Sequence, residues 1–277
     1  MEKRALLLLA VAISVTIAYH QMSVQPYGGQ PRHKSTAFAV YYGPVNSSII
    51  QVLNQFSLVV LDPTQVNSSQ LKEIKAVKVA YIDLGELTNV SISNVTPPPL
   101  PVVTIGYDSQ WSQYIVNVSS PAWQEYIKSL VAAVMAMGFQ GVLFDDVDVV
   151  ELYPSTAPGV VEIINWTRAH YPHAVIGINR GFAILDNVSR LIDFVLFEDY
   201  GTEVTSPGKV EFSDPSFVVN MTHMLKAHNV TVLALGYAYH PGDAYWDTVV
   251  SLAKSQGVPY FVSNWNLSVI WQENLRQ

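Results

Sequence analysis

Cysteine is absent from the 277 residues. That excludes a disulfide framework, a thiolate metal site and a thiol nucleophile. Charge is also scarce: 13% of residues are Asp, Glu, Lys or Arg, and acids outnumber Lys and Arg 22 to 15. With a net charge of −7 and no basic run beyond Lys3-Arg4, the chain lacks the electrostatic footprint of a nucleic-acid binder. No Gly-x-Ser-x-Gly elbow occurs, which argues against Ser-His-Asp hydrolysis. The N-terminal apolar stretch, Ala5 to Ala18, falls short of the ~20 residues that span a bilayer as a helix.

What is present begins with that stretch. Lys3 and Arg4 precede it, and the charge-then-apolar order is that of an export signal. Residues 1–20 are therefore read as a signal peptide or, if retained, as an N-terminal anchor holding the protein to a membrane through residues 5–18. Residues 21–34 are polar, with Pro26, Gly28, Gly29 and Pro31, and read as a flexible lead-in. Ten Asn-x-Ser/Thr sequons, at Asn46, Asn67, Asn89, Asn94, Asn117, Asn165, Asn187, Asn220, Asn229 and Asn266, favour an extracellular or cell-surface glycoprotein. Several of them double as helix caps or turns. No second linker follows, so residues 35–277 are read as one domain. The oligomeric state is not legible.

That domain alternates apolar runs with amphipathic stretches. Candidate strands are Phe38–Tyr42, Leu58–Asp62, Lys78–Leu84, Gly141–Asp145, Ala174–Asn179, Asp193–Glu198, Thr231–Tyr237 and Tyr260–Asn264. Most are continuous in Val, Leu and Ile, which suits parallel strands buried on both faces. Helices are expected between them: one starts at Ser119-Ser120-Pro121 and stops at Gly138, one starts at Asp214-Pro215, and one closes at Gly257. A single turn is expected at Asn187–Arg190. Eight such strands imply an α/β fold of the (β/α)₈ TIM-barrel type. Thr88 to Ser120 reads as one long connection. Its Pro97-Pro98-Pro99-Leu100-Pro101 run is either an exposed spacer or part of a wall over the barrel mouth.

Barrels of this kind carry their chemistry at the C-terminal ends of the strands, and these ends are polar throughout. The fourth strand ends Phe144-Asp145-Asp146-Val147-Asp148 and the sixth Phe197-Glu198-Asp199-Tyr200. Because strand neighbours point to opposite faces, Asp145 and Asp146 cannot both face the axis while the strand persists. Two carboxylates flanking one pocket are the minimum for cleaving a glycosidic bond. Candidate substrate-binding residues are Tyr42, Asp62, Glu86, Asp148, Asn179 and Tyr237 at strand ends, with Trp111 and Trp265 as sugar platforms. Trp123 and Trp166 are read as helix core, and His240 as structural or solvated. Asp145-Asp146-Val147-Asp148 could alternatively hold calcium or magnesium through oxygen ligands. No EF-hand spacing follows, and the primary reading has no metal and no cofactor.

Val59-Val60-Leu61-Asp62-Pro63, Tyr81-Ile82-Asp83-Leu84-Gly85-Glu86, Tyr114 to Gln124 and Gly138 to Asp148 together resemble glycoside hydrolase family 114. The likeness runs from about Val40 to Trp265. Members of that family resemble endo-α-1,4-polygalactosaminidases on a TIM-type barrel. The resemblance implies acids at Asp145, Asp148 and Glu198, with Asp146 on a variable position. By analogy with retaining α-galactosidases on similar barrels, it implies that Asp145 is the nucleophile and Glu198 the acid/base. The expected function is a secreted glycosidase acting on an α-linked, galactosamine-containing polysaccharide. The alternative is a glycan-binding envelope protein that kept the barrel without turnover.

Overall fold

A computed structural model describes residues 37–87 and 99–276. The expected signal or anchor at 1–20, its apolar stretch 5–18, the lead-in at 21–34, and Pro97 and Pro98 lie outside the described residues. Among the described residues no helix is long and apolar enough to cross a membrane.

The strands are β1 (Phe38–Tyr41), β2 (Leu58–Leu61), β3 (Val77–Asp83), β4 (Thr104–Asp108), β5 (Gln113–Val116), β6 (Gly141–Asp145), β7 (Val175–Asn179), β8 (Phe194–Phe197), β9 (Thr202–Ser206), β10 (Lys209–Phe212), β11 (Thr231–Tyr237) and β12 (Tyr260–Ser263). The helices are α1 (Ser47–Leu53), α2 (Ser68–Glu73), α3 (Pro121–Met137), α4 (Val149–Leu152), α5 (Ala157–His170), α6 (Leu185–Val188), α7 (Pro215–Ala227) and α8 (Ala244–Gln256). Eight strands form one sheet in the order β1-β2-β3-β6-β7-β8-β11-β12, and every ladder in it is parallel. β12 returns to β1, where the Phe38 and Phe261 ring centroids lie 6.1 Å apart. The result is a nearly closed (β/α)₈ barrel. All eight sequence-expected strands are found, with ends displaced by at most a residue or so.

Burial on both sheet faces explains why these runs carry no polar alternation. β1, β2, β8 and β12 are buried at every position. Each fully buried Val, Leu or Phe contributes roughly 1.5–3 kcal/mol. The helices start and stop by local chemistry. Asn46 caps α1, its Oδ1 accepting from the Ser48 and Ile49 amides. Asn67 and Gln70 form a reciprocal capping box at α2. α3 has Pro121 in its first turn and ends at Gly138, whose φ of 112° suits glycine. α6 is a single turn, as expected between the fifth and sixth barrel strands.

The described part of the Thr88–Ser120 connection, 99–120, is not structureless: β4 and β5 form an antiparallel hairpin within it. The hairpin is stitched to the segment after β3, with the Leu87 amide donating to Tyr114 O at 2.8 Å and the Val116 amide to Gly85 O at 2.9 Å. A second hairpin, β9–β10, follows β8 and was not anticipated. Both rise on the side where the barrel strands end.

Candidate active site

Three adjacent strands end in the same way. β6 ends at Asp145, β7 at Asn179, and β8 one residue before Glu198. In each case the residue after the polar one turns left-handed: Asp146 at φ 52°, Arg180 at φ 55° and Asp199 at φ 61°. Non-glycine residues adopt this region rarely and at some cost, and such positions gather at functional sites. The turn breaks the strand alternation. Asp145, Asp146 and Asp148 therefore all line one cup, although a continuing strand would have sent two of them apart. The cup is a cavity of about 720 Å³.

At its floor the two candidate catalytic acids share a partner. Asn179 Nδ2 donates to Asp145 Oδ1 at 2.6 Å and also to Glu198 Oε2. Two hydrogen bonds meeting at one nitrogen hold these oxygens at most about 5.5 Å apart. The Asp146 amide donates to Asp145 Oδ1 at 2.9 Å, and Tyr81 also hydrogen-bonds to Asp145. The Tyr237 hydroxyl donates to Glu198 Oε1.

Two further groups of acids flank this pair. On one side, Asp83 Oδ1 accepts from the amides of Gly85 at 3.1 Å and Glu86 at 2.8 Å. Asp83, Glu86 and Asp146 bring one carboxylate oxygen each within 4.8 Å of one another. This all-oxygen donor set suits a hard cation or an ammonium group, and of the Asp145–Asp148 run it draws in only Asp146. On the other side, Arg180 lies between Asp148, with Nε to Oδ2 at 3.6 Å, and Asp199, with Nη1 to Oδ2 at 3.1 Å. Among the described residues, Arg180 is the one Lys or Arg lining the cup.

Burial among like charges raises Glu86, Asp199, Glu198 and Asp145. Burial is the largest cause throughout. Glu86 is pushed up to about 8 by burial, then by Asp83 and Asp108. Asp199 is pushed up to about 7 by burial, against the pull of Arg180. Glu198 stands well above the usual carboxylate range through burial, then Asp145. Asp145 is raised by burial too, but the Asp146 amide, Asn179 and Tyr81 all stabilise its charged form. Asp145 thus accepts three such bonds, one of them from a backbone amide, whereas Glu198 accepts from Asn179 and Tyr237.

Of the residues anticipated from sequence, Tyr42, Glu86, Trp111, Asp145, Asp148, Asn179, Glu198, Tyr237 and Trp265 all line the cup. Asp62 is not among its lining residues. Its Oδ1 accepts from the Thr64 amide at 2.8 Å and hydroxyl at 2.7 Å, closing a turn. Trp123 is buried, with Nε1 donating to Leu84 O at 2.9 Å. Trp166 is only partly buried and stacks on His170. His240 is exposed outside the cup. Tyr81, Asp83, Asp146, Arg180 and Asp199 line the cup without having been singled out as site residues. All five stand in or beside the strand-end phrases. Glu203 also lines the cup, but it enters from the unforeseen second hairpin and had no sequence signal. Gln110 in the first hairpin donates through Nε2 to Val204 O in the second at 3.1 Å, joining the two.

The family model for glycoside-hydrolase family GH114 matches residues 20–274. No curated protein matches the sequence. Among solved structures, the chain is similar to the glycoside hydrolase domain of PelA from Pseudomonas aeruginosa. The TM-score is 0.72 at 18% identity, covering 85% of this chain and 97% of that one. It is similar to Aspergillus fumigatus Ega3, solved in complex with galactosamine, with a TM-score of 0.66 at 14% identity over 88% of this chain and 98% of that one. An α-galactosidase from Thermus thermophilus follows at a TM-score of 0.51 and 12% identity, covering 85% of this chain and 59% of that one. At these identities the likeness to solved structures shows the barrel; the family model shows the kinship.

Proposed function

The chain belongs to glycoside hydrolase family 114 and is a glycosidase, and from that premise we propose that it cleaves an α-linked, galactosamine-containing polysaccharide with retention of configuration. The observation that carries the mechanism is the shared Asn179 amide. Carboxyls about 5–5.5 Å apart suit a retaining enzyme, whereas inverting enzymes need about 6.5–9.5 Å to admit a water between them. Asp145, the acid that accepts three hydrogen bonds to its charged form, attacks the anomeric carbon as Glu198 gives its proton to the leaving oxygen. A glycosyl ester to Asp145 forms and the glycosidic bond breaks. Glu198, now a carboxylate, then takes a proton from water as that water displaces Asp145. Environments that push two neighbouring acids apart in pKa are what this division of roles requires.

The substrate class rests on charge. A cup lined, among the described residues, by many carboxylates and one arginine favours a cationic amino sugar, and the structurally similar Ega3 was solved with galactosamine. Trp111 and Trp265, both at the rim and partly exposed, supply flat apolar faces for sugar rings. Export to the extracellular space or cell surface is supported by the Lys3-Arg4 and apolar leader and by the ten sequons.

The test is hydrolysis of deacetylated α-1,4-galactosaminan followed by NMR. The first-formed reducing ends should be α anomers, and β anomers would overturn retention. Glu198→Gln should slow turnover at least about 100-fold, the scale of general-acid assistance, and Asp145→Asn should nearly abolish it. Near-normal turnover by Glu198→Gln would remove Glu198 from its role. Binding should weaken as salt rises, and salt-insensitive binding would point to a neutral glycan.

A further inference from the structure

Asn179 was expected to grip a sugar hydroxyl, but its geometry gives it different work. The residue is 6% exposed. It stands on β7, between the strand that carries Asp145 and the strand that leads to Glu198. A carboxamide nitrogen has two hydrogens, and Asn179 directs one to each catalytic carboxylate. No donor is left for a substrate. Its Oδ1 is buried and has no hydrogen-bond partner among the described residues, so it is closed to a sugar as well. An amide that loses half its hydrogen-bonding capacity to burial is costly, and the two bonds on its nitrogen are what offset that cost.

We propose that Asn179 is a positioning residue, a crossbar that sets the distance between Asp145 and Glu198 and holds each with one oxygen as an acceptor. The proposal rests on the assignment of those two acids as the catalytic pair. One nitrogen bonded to both acids keeps the two accepting oxygens within about 5.5 Å, because neither acid can move away without breaking a hydrogen bond. It also acts on protonation. An N–H donated to a carboxylate stabilises the charged form, and the bond from Asn179 pulls down both Asp145 and Glu198. The other groups facing the pair stay in place when Asn179 is changed. Tyr81, Tyr42, Asp146 and Asp148 face Asp145, and Tyr237, Arg180 and Asp199 face Glu198.

The sign follows. Asp145 must be ionised and Glu198 protonated for the first step. Losing the crossbar raises both pKa values, so both limbs of the kcat/KM bell move to higher pH. The expected shift is about one unit, the worth of a hydrogen bond to a charged group.

The experiment compares wild type with Asn179→Ala and Asn179→Ser in the full chain, with melting curves to confirm that each variant folds. Its first measurement needs no turnover: the side-chain carboxyls of Asp145 and Glu198 are titrated by carbon-13 NMR in the free enzyme. Both should titrate higher in Asn179→Ala. Asn179→Ser keeps a hydroxyl that can donate to only one acid, so a single carboxyl should remain near its wild-type value. The second measurement is kcat and KM on the galactosaminan across pH. Asn179→Ala should lower kcat at least about tenfold, leave KM nearly unchanged, and displace the bell upward. Unchanged carboxyl titrations would overturn the crossbar. So would a raised KM with an unmoved bell, since that is the mark of a hydroxyl ligand. If wild type turns out inactive on this polymer, the substrate reading fails while the titrations still decide the role of Asn179.

Discussion

Asp146 reaches the cup because Gly85 lets it. A β-carbon on Gly85 would lie 2.5 Å from the Asp146 carbonyl oxygen and 2.8 Å from its Cβ, far inside van der Waals contact. The missing side chain brings the end of β3 against the end of β6, and so sets Asp83 and Glu86 beside Asp146. Gly85→Ala should therefore destabilise by about 1–3 kcal/mol through overpacking, read as a lower melting temperature. Activity should fall with it, because the Asp146 amide that holds Asp145 would be displaced. A variant of wild-type stability and rate would show that the contact relaxes without consequence. At this scale the sequence identified the acids better than their directions. The alternation rule separates Asp145 from Asp146 only while the strand lasts, and the left-handed turn at Asp146 ends it. Nothing in an Asp-Asp dipeptide announces that turn. Asp62 failed to reach the cup for the converse reason: its carboxylate is satisfied locally by Thr64, a competition common to short acids in turns.

Among the elements, the barrel strands were legible because burial on both faces leaves an unbroken apolar run, and because proline or glycine bounds several of the helices between them. The two hairpins were not. β4 reads Thr104-Ile105-Gly106-Tyr107-Asp108, and most of it is exposed or half-exposed. Its order comes from pairing with β5 across a short turn and from the bonds that Leu87 and Val116 make beneath it, which join residues distant in sequence. The hairpin carries Trp111 to the rim, where it is 40% exposed. Trp111→Ala should accordingly leave the melting temperature nearly unchanged, as expected of an exposed site away from the core. On polymer it should raise KM with kcat at saturation largely retained, the pattern of lost uniform binding. A fall in kcat alone would mean that the ring touches the reacting sugar in the transition state.

For the whole molecule, the acid-rich cup makes stability depend on pH in an unusual sense. Carboxyls ordinarily have depressed values in folded proteins, and stability then grows as pH rises. Here Glu86 moves from 4.5 to about 8, and Asp199 from 3.8 to about 7. Between those limits the folded state binds more protons than the unfolded one, so stability falls as pH rises. It is fully present below pH 3.8, the lower of the two ordinary values, and is lost through the window up to about 8. The melting temperature of the substrate-free enzyme should decline across that range, and Glu86→Gln should flatten the decline. A melting temperature that climbs from pH 5 to 8 would show that other groups dominate. The molecule also carries its sequons economically. At Asn46 and Asn67 the caps use Oδ1, which takes the amide hydrogens at the start of each helix. An N-linked oligosaccharide would attach through Nδ2 of the same side chain. Decoration at either position would leave the first helical turn intact, so this surface could be sugar-coated without loosening the fold beneath it.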